Sequence, residues 1–312
     1  MTTVIYLPFV LSIVLVGLSR SVCRRTSPRA AAWSVTAAMV LLAASTVGAL
    51  VLLAWPLAAR LPVIAREGGW HPSAVNHVVP VPVPVSILAA VILVVLAGLV
   101  IDQALRIRDG VVEVSRMHTE LAPAGGAAVA VVQDSRPSAH ALPGTLAHRG
   151  RVVVSTGLLD ALDDEERAAV LAHEHAHLAH AHRLFVVVAA LAAALDPVVW
   201  WCRHDVEFAL ERWADEDAAS RTGRAVTARA LARAALAKLS SVHQMPAPAR
   251  ATALGLARLG VAHRVAALLE PEQQQRRTAL AWLVAILALV GIAAILWATR
   301  DTERLFELLQ RH

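Results

Sequence analysis

Four long stretches of the chain are apolar and contain no charged residue. They cover residues 4–19, 30–59, 83–101 and 278–299. A helix that crosses a bilayer needs about 20 mostly apolar residues. The pattern therefore predicts four transmembrane helices. The first stretch lacks the basic start and the small-residue cleavage site of a signal peptide, so we expect a retained anchor.

Composition supports a membrane protein and argues against nucleic acid as a partner. Hydrophobic residues make up 57% of the chain, and the mean hydropathy is +0.57. These values exceed those of ordinary soluble domains. The isoelectric point is about 10.4, but much of the basic charge is arginine that flanks the predicted spans. Anionic membrane lipid is therefore the expected partner of this charge, and no direct contact with nucleic acid is expected.

The short loops predict the orientation in the membrane. The loop after the first span carries four arginines, whereas the loop after the second carries only Arg60 and Arg66. Arginine-rich short loops stay in the cytoplasm. We therefore expect a multi-pass protein of the cell membrane, with an outside N-terminus and residues 102–277 in the cytoplasm. The four arginines of the first loop are Arg20, Arg24, Arg25 and Arg29.

The middle region begins with short strands and continues with helices. Residues 127–133, 138–144 and 151–155 are short β-rich segments separated by Gly and Pro. Asp163 is the expected N-cap of the next helix, and Glu166 completes a capping box. This helix contains the sequence LAHEHAHLAH, residues 171–180.

The histidine-rich helix contains a His-Glu-x-x-His motif. His173 and His177 are four residues apart, so both side chains project from one face and can bind the same ion. In zinc peptidases two such imidazoles bind Zn²⁺, and the glutamate that follows the first, here Glu174, accepts a proton from the attacking water. His180 lies about 10 Å from His173 along the axis, too far to share one ion. We expect His175, His180 and His182 at the surface or behind the ligands.

A later helix offers the third ligand. Glu211 and Asp215 are one turn apart, which suits a zinc ligand and a carboxylate that orients a ligand imidazole. Glu207, one turn earlier, is the alternative ligand. The apolar segment 184–202 lies between the two helices, with Asp196-Pro197 in its middle. We expect a membrane-associated hairpin, in which the histidine helix continues to about Leu195, turns at Asp196-Pro197 and returns to Glu211.

Several segments together resemble the membrane-embedded zinc metallopeptidases of the BlaR/MecR antirepressor type. They are SAHALPG, RGRVVVSTGLLDALDDEERAAVLAHEHAHL, DPVVWW and ERWAD. The resemblance implies gluzincin chemistry, with His173, His177 and Glu211 as zinc ligands, Glu174 as base and Asp215 behind the ligands. It also implies that Ala139, His140, Ala141 and Leu142 form an edge strand along which an extended substrate lies.

These observations predict a mostly α-helical membrane protein with a cytoplasmic α+β gluzincin-like peptidase domain. Residues 1–101 would hold three spans, 102–277 the peptidase domain, and 278–312 the fourth span and a short tail. The expected function is cleavage of a protein at the membrane face. A winged-helix repressor is one candidate substrate by association with the family. The extracellular sensor domain of the antibiotic-sensing members is not expected here. The alternative is a zinc-binding membrane sensor or scaffold without catalysis, although such a protein would not need Glu174.

Overall fold

The computed structural model describes residues 4–71, 75, 81–121, 128–145, 148–242, 260–270 and 278–309. Helices dominate these residues, and one small sheet lies between them. The helices are α1 (Leu7–Arg25), α2 (Pro28–Ala59), α3 (Pro62–Gly68), α4 (Val83–Glu120), α5 (Thr156–Ala161), α6 (Asp164–Ala179), α7 (His182–Leu195), α8 (Cys202–Thr222), α9 (Arg224–Val242), α10 (Gly260–Leu269) and α11 (Thr278–Leu309). The strands are β1 (Val129–Val132), β2 (Ala139–Leu142) and β3 (Arg151–Ser155).

Four helices are long and apolar enough to cross a membrane. They are α1, which continues a short 3-10 turn, α2, α4 and α11. They contain the four stretches that the sequence predicted as spans. Helix α2 packs against the other three. The described part of the chain therefore fits a membrane protein.

The third apolar helix extends beyond its predicted end. The sequence indicated an end near Asp102, but α4 continues to Glu120. No proline interrupts residues 103–120, and Arg106 pairs with Asp102 one turn earlier at 2.8 Å. At its far end, His118 Nε2 lies 2.9 Å from the carbonyl oxygen of Pro143, directly after β2. Helix α4 thus links the long apolar helices to the sheet.

The sheet has the strand order β1-β3-β2. Strand β3 is buried throughout and pairs with β1 in parallel and with β2 antiparallel. Because β2 contacts β3 on one side only among the described strands, it forms an edge of the sheet. The three predicted strands are confirmed, and the third has the predicted bounds.

The histidine helix begins as the sequence predicted. Asp163 accepts a hydrogen bond from the backbone N–H of Glu166 at 2.9 Å, and the Glu166 carboxylate accepts one from the backbone N–H of Asp163 at 3.1 Å. This reciprocal pair is the capping box. Glu166 is fully buried, because Arg229 and Arg233 of α9 also contact its carboxylate.

The histidine helix does not continue to Leu195, which corrects the sequence prediction. Helix α6 ends at Ala179 and α7 begins at His182, with a bend of 54° between them. At the break Ala181 has a φ of 51°, a left-handed conformation that residues with a Cβ rarely adopt. The bend turns α7 towards α2 and α4, against which it packs. Tertiary packing therefore overrides the helical propensity of this alanine-rich segment.

The chain turns back at Asp196-Pro197, as predicted. A 3-10 turn, Pro197–Trp201, leads into α8. The buried Asp196 carboxylate accepts hydrogen bonds from Ser12 of α1 at 2.6 Å and from Thr46 of α2 at 3.0 Å. One core cluster joins α1, α2, α7, α8 and α11. The helical hairpin therefore packs directly on the apolar helices.

Candidate metal centre

Helices α6 and α8 pack together and bring the sequence-predicted ligands into one group. His173 and His177 project from α6, and Glu211 projects from α8. One ligand atom from each of these residues lies within 4.8 Å of the others. Among the described residues, this is the group of His, Cys, Asp and Glu side chains with a geometry suited to a metal ion.

The spacing of the three residues fits tetrahedral zinc. The two Nε2 atoms of His173 and His177 are 3.2 Å apart. His173 Nε2 lies 3.7 Å from Glu211 Oε2, and His177 Nε2 lies 3.5 Å from Glu211 Oε1. Tetrahedral ligands with bonds of about 2.1 Å are separated by about 3.4 Å. The donor set and its spacing therefore suit Zn²⁺, with one position left for a further ligand.

Two carboxylates and one arginine support this group. His173 Nδ1 lies 3.0 Å from Asp215 Oδ1, so the carboxylate can orient the imidazole. Arg264 of α10 contacts both Asp215 oxygens at 2.6 Å and Glu211 Oε2 at 2.7 Å. The Arg264 side chain is only 11% exposed. Arg264 thus fixes the two carboxylates relative to each other.

The charges of the site follow from these contacts. Burial disfavours a charged Glu211, but the neighbouring imidazole of His173 and the charge of Arg264 outweigh it and hold the pKa of Glu211 well below its usual range. Burial also favours a neutral His173, yet the neighbouring carboxylates of Asp215 and Glu211 raise its pKa to about 9. Burial lowers the pKa of His177. Glu211 is therefore an anion, ready to bind a cation.

A cavity of about 460 Å³ opens over the group. Glu174 lines this cavity beside His173 and His177. Strand β2 forms one of its walls through Ala139, His140 and Ala141, whereas the side chain of Leu142 is buried. Leu158, Val170 and Leu231 add an apolar wall. The cavity therefore has a cluster of polar side chains on one side and an edge strand and apolar side chains on the others. Ligand-binding cavities commonly combine such groups.

The remaining candidates lie away from the ligand position. Glu207, the alternative ligand, lines the cavity but is not in the metal group, and its carboxylate lies 3.5 Å from His204. His175 is exposed on α6. His180 Nε2 lies 3.2 Å from Asp217 Oδ1, and its ring stacks on Trp213. His182 is buried and contacts His177, as a residue behind the ligands would.

Sequence reasoning missed Arg264. It assigned the surrounding helix, VAHRVAALL, to packing. The available signal was a single charged side chain among apolar residues, Arg264 itself, on a helix that also buries Leu268. Its partners, however, precede it by about 50 residues in sequence, and no local pattern connects them. Only the tertiary contact identifies the role.

One comparison with known proteins gives a match. The model of peptidase family M48 matches residues 111–258, which include β2, the His-Glu-x-x-His helix and Glu211 but not Arg264. This match supports a zinc metallopeptidase, the class that the sequence predicted. No curated protein and no solved structure matches the chain. The antirepressor type therefore stays a prediction.

Proposed function

We propose that the protein is an integral-membrane zinc endopeptidase that cleaves a protein at the cytoplasmic face of the membrane. The observation that carries the proposal is the group formed by His173, His177 and Glu211, with Glu174 beside it in a cavity bounded by an edge strand. The family match supports the metallopeptidase chemistry independently of this geometry.

Each residue of the group has a role that its contacts support. His173, His177 and Glu211 would hold the zinc ion, and Asp215 would orient His173 from behind. When bound, the zinc ion supplies Lewis-acid polarisation of the scissile carbonyl and lowers the pKa of a water molecule. Arg264 keeps Glu211 and Asp215 charged and in place.

Glu174 is the proposed base. It follows His173 directly on α6 and lines the same cavity. Its carboxylate would accept a proton from the water that attacks the peptide carbonyl. It would then deliver that proton to the leaving amine nitrogen, so that the C–N bond breaks without releasing an unstable amide anion.

Strand β2 is the proposed substrate platform. An extended peptide can add to a sheet edge through backbone hydrogen bonds, with alternate side chains directed into pockets. Ala139 and Ala141 are small, so a substrate backbone can approach β2 closely. The apolar wall formed by Leu158, Val170 and Leu231 suits an apolar substrate side chain beside the scissile bond.

The hairpin supports the location at the membrane face. Its turn contacts Ser12 through Asp196, and Asp205 of α8 contacts Ser19 at 2.6 Å. Both serines belong to the uncharged part of α1, about 10 Å apart along its axis. Trp200 and Trp201, which lie between these contacts along the chain, are exposed. We therefore infer that the turn lies below the membrane surface, at the depth of Ser12, with the exposed Trp200 and Trp201 towards lipid.

The substrate itself is a further proposal. The arginine-rich first loop favours a cytoplasmic peptidase domain, which leaves cytoplasmic proteins as candidates. A winged-helix repressor is the candidate that the antirepressor resemblance suggests, and it rests on that resemblance alone.

The proteolytic function is tested by comparing new protein N-termini in cells that produce the wild type or Glu174→Gln. The substitution keeps the zinc ligands and removes the base. We expect a set of termini that only the wild type produces, and Glu207→Gln, which alters another cavity carboxylate, should still produce it. Identical sets from the wild type and Glu174→Gln would contradict the endopeptidase and favour a non-catalytic zinc-binding scaffold.

The membrane position of the hairpin turn is tested with a fluorescent label. Cys23 and Cys202 are buried, so an added cysteine can be labelled selectively. A label at Val198→Cys should shift to shorter emission wavelength and be quenched by lipids with a spin label in the acyl chain. A label at Ser220→Cys, exposed at the other end of α8, should show neither effect. Equal behaviour of the two labels would exclude insertion of the turn.

A further inference from the structure

The break between α6 and α7 brings a second histidine onto a proposed zinc ligand. His182 Nδ1 lies 2.9 Å from His177 Nδ1, and the two rings meet edge to face at 89°. On an uninterrupted helix, residues five positions apart project about 140° from each other. The contact therefore depends on the 54° bend and on the left-handed Ala181.

The two proposed ligand histidines differ in what lies behind them. His173 contacts the Asp215 carboxylate, which is the usual kind of partner for a metal-bound imidazole. His177 has the ring of another histidine at the corresponding position. Among the described residues, His182 thus occupies behind His177 the position that the Asp215 carboxylate occupies behind His173. The break in the helix places it there.

The hydrogen-bonding roles of His177 and His182 follow from which nitrogen of His177 faces the proposed metal position. His177 Nε2 faces His173 and Glu211, so a metal ion would bind through Nε2. The proton of His177 must then be on Nδ1 and needs an acceptor. His182 Nδ1 is the acceptor within reach, provided that its own proton is on Nε2.

The surroundings hold the His182 ring in this orientation. Its side chain is 2% exposed and lies against Trp213, with the ring centroids 4.9 Å apart. The Nε2 atom is buried and has no hydrogen-bond partner among the described residues. Nδ1 is therefore the ring atom through which His182 makes its polar contact, the one with His177.

We propose that His182 is a positioning residue, which accepts a hydrogen bond from His177 Nδ1 and so fixes the tautomer and orientation of that zinc ligand. The inference rests on the proposed zinc site. It assigns a role to the unusual backbone at Ala181, namely to direct His182 back towards His177.

The test measures zinc affinity in the purified full-length protein, by competition with a chromogenic chelator. His182→Leu fills similar space but has no acceptor. His182→Asn keeps an acceptor oxygen near the position of Nδ1. His180→Asn is the matched control, because His180 lies two residues away, contacts Asp217 and touches neither proposed imidazole ligand through a hydrogen bond.

We expect His182→Leu to lower zinc affinity by roughly 10- to 100-fold, the range for partners of metal-bound histidines. His182→Asn should recover most of that loss, and His180→Asn should stay within about twofold of the wild type. With Co²⁺ in place of zinc, the visible spectrum of His182→Leu should also change, since the orientation of one ligand is no longer fixed.

Two results would overturn the inference while leaving the zinc site intact. One is wild-type zinc affinity in His182→Leu; the other is an equal loss in His182→Asn and His182→Leu. Thermal unfolding of the chelator-treated variants separates loss of fold from loss of metal binding, since a purely structural role would lower the melting temperature and leave the affinity of the folded protein unchanged. Absence of zinc binding by the wild type would instead refute the proposed function.

Discussion

Carboxylates pair with arginines near both ends of helix α6, but the two clusters differ in whether a carboxylate oxygen still faces a cavity. At its start, the cap cluster consists of Asp163, Glu166, Arg229 and Arg233. The Glu166 carboxylate receives hydrogen bonds from a backbone N–H and from both arginines, and it is fully buried. These contacts all lie within the protein, and the Glu166 carboxylate belongs neither to the cavity lining nor to the metal group.

At the other end, the metal cluster consists of His173, His177, Glu211, Asp215 and Arg264. Among the described residues, one arginine contacts Glu211, through Oε2, whereas Oε1 faces the imidazole of His177. The carboxylate is thus held in place but retains acceptor capacity towards the cavity. The comparison teaches that a buried arginine–carboxylate pair does not mark a functional site by itself. A functional site is indicated when one carboxylate oxygen of such a pair still faces other potential metal ligands, as Glu211 Oε1 does.

The largest effect on zinc affinity should come from removing the Glu211 carboxylate. Glu211→Ala leaves two imidazoles for the metal, so zinc affinity should fall by more than the roughly 100-fold that loss of an outer partner causes. Peptide hydrolysis should fall with it. Metal analysis of the purified protein measures the loss, and Glu207→Ala should retain wild-type zinc. Retained zinc in Glu211→Ala would assign the third ligand elsewhere.

Breaking the cap cluster should affect the fold and spare the metal. Glu166→Ala removes a carboxylate that accepts hydrogen bonds from the backbone of Asp163 and from Arg229 and Arg233, at an expected cost of about 2 kcal/mol of unfolding free energy. The cost is moderate because both arginines are half exposed and keep contacts with other carboxylates. Denaturant unfolding of the metal-free protein measures it.

The matched control is Glu165→Ala, because Glu165 is exposed and contacts the same Arg229. Its effect should stay below about 1 kcal/mol, as for surface ion pairs. Zinc affinity should be unchanged in both variants. A large loss of zinc affinity in Glu166→Ala would show that the two clusters are coupled along α6.

Arg264→Leu should produce an intermediate effect on the metal cluster. Without the guanidinium, Glu211 and Asp215 lose their common partner and are less well oriented, so zinc affinity should fall by about 10-fold. Chelator competition measures the change, and Arg224→Leu, which removes a different contact to α10 through the carbonyls of Ala267 and Leu268, is the comparison. A rise in affinity would mean that the positive charge mainly repels the metal.

The smallest effect concerns the charge of Asp163. The backbone N–H of Glu166 holds the pKa of this carboxyl below its ordinary value. Its contribution is therefore present above the unfolded pKa of about 3.9 and is lost as the pH falls through the lower folded value. Asp163→Asn should lower the melting temperature by about 1 °C at pH 7. The difference should vanish in acid, and a difference that grows in acid would contradict the assignment.

Sequence patterns predicted the parts of this protein that depend on local rules. The four apolar helices, the three strands, the capping box and the His-Glu-x-x-His face all follow from periodicity, caps and composition. In these cases the residues that interact lie close together in sequence or belong to one repeating pattern. Glu211 and Asp215 lie more than 30 residues after the histidines. The sequence indicated them because the zinc motif needs a third ligand, and an acidic pair one helical turn apart could provide that ligand and a supporting carboxylate.

The features that the sequence did not reveal depend on distant contacts. No glycine or proline marks the break at Ala181 in the sequence, and the bent α7 packs against the distant helices α2 and α4. Arg264 meets Glu211 and Asp215 from a helix about 50 residues later. Helix α4 continues to Glu120 through residues that are too polar for a hydropathy pattern to include.

The contact of Asp196 with Ser12 and Thr46 has a consequence for how the chain can be divided. Its partners are 184 and 150 residues earlier in sequence. A fragment that begins at residue 102 would contain both helices of the candidate metal centre. It would leave the Asp196 carboxylate without these hydroxyls, beside an apolar face that α1 and α2 cover in the full chain. The proposed catalytic region is therefore expected to need the N-terminal helices for its own folding, and we do not expect it to behave as an independent module.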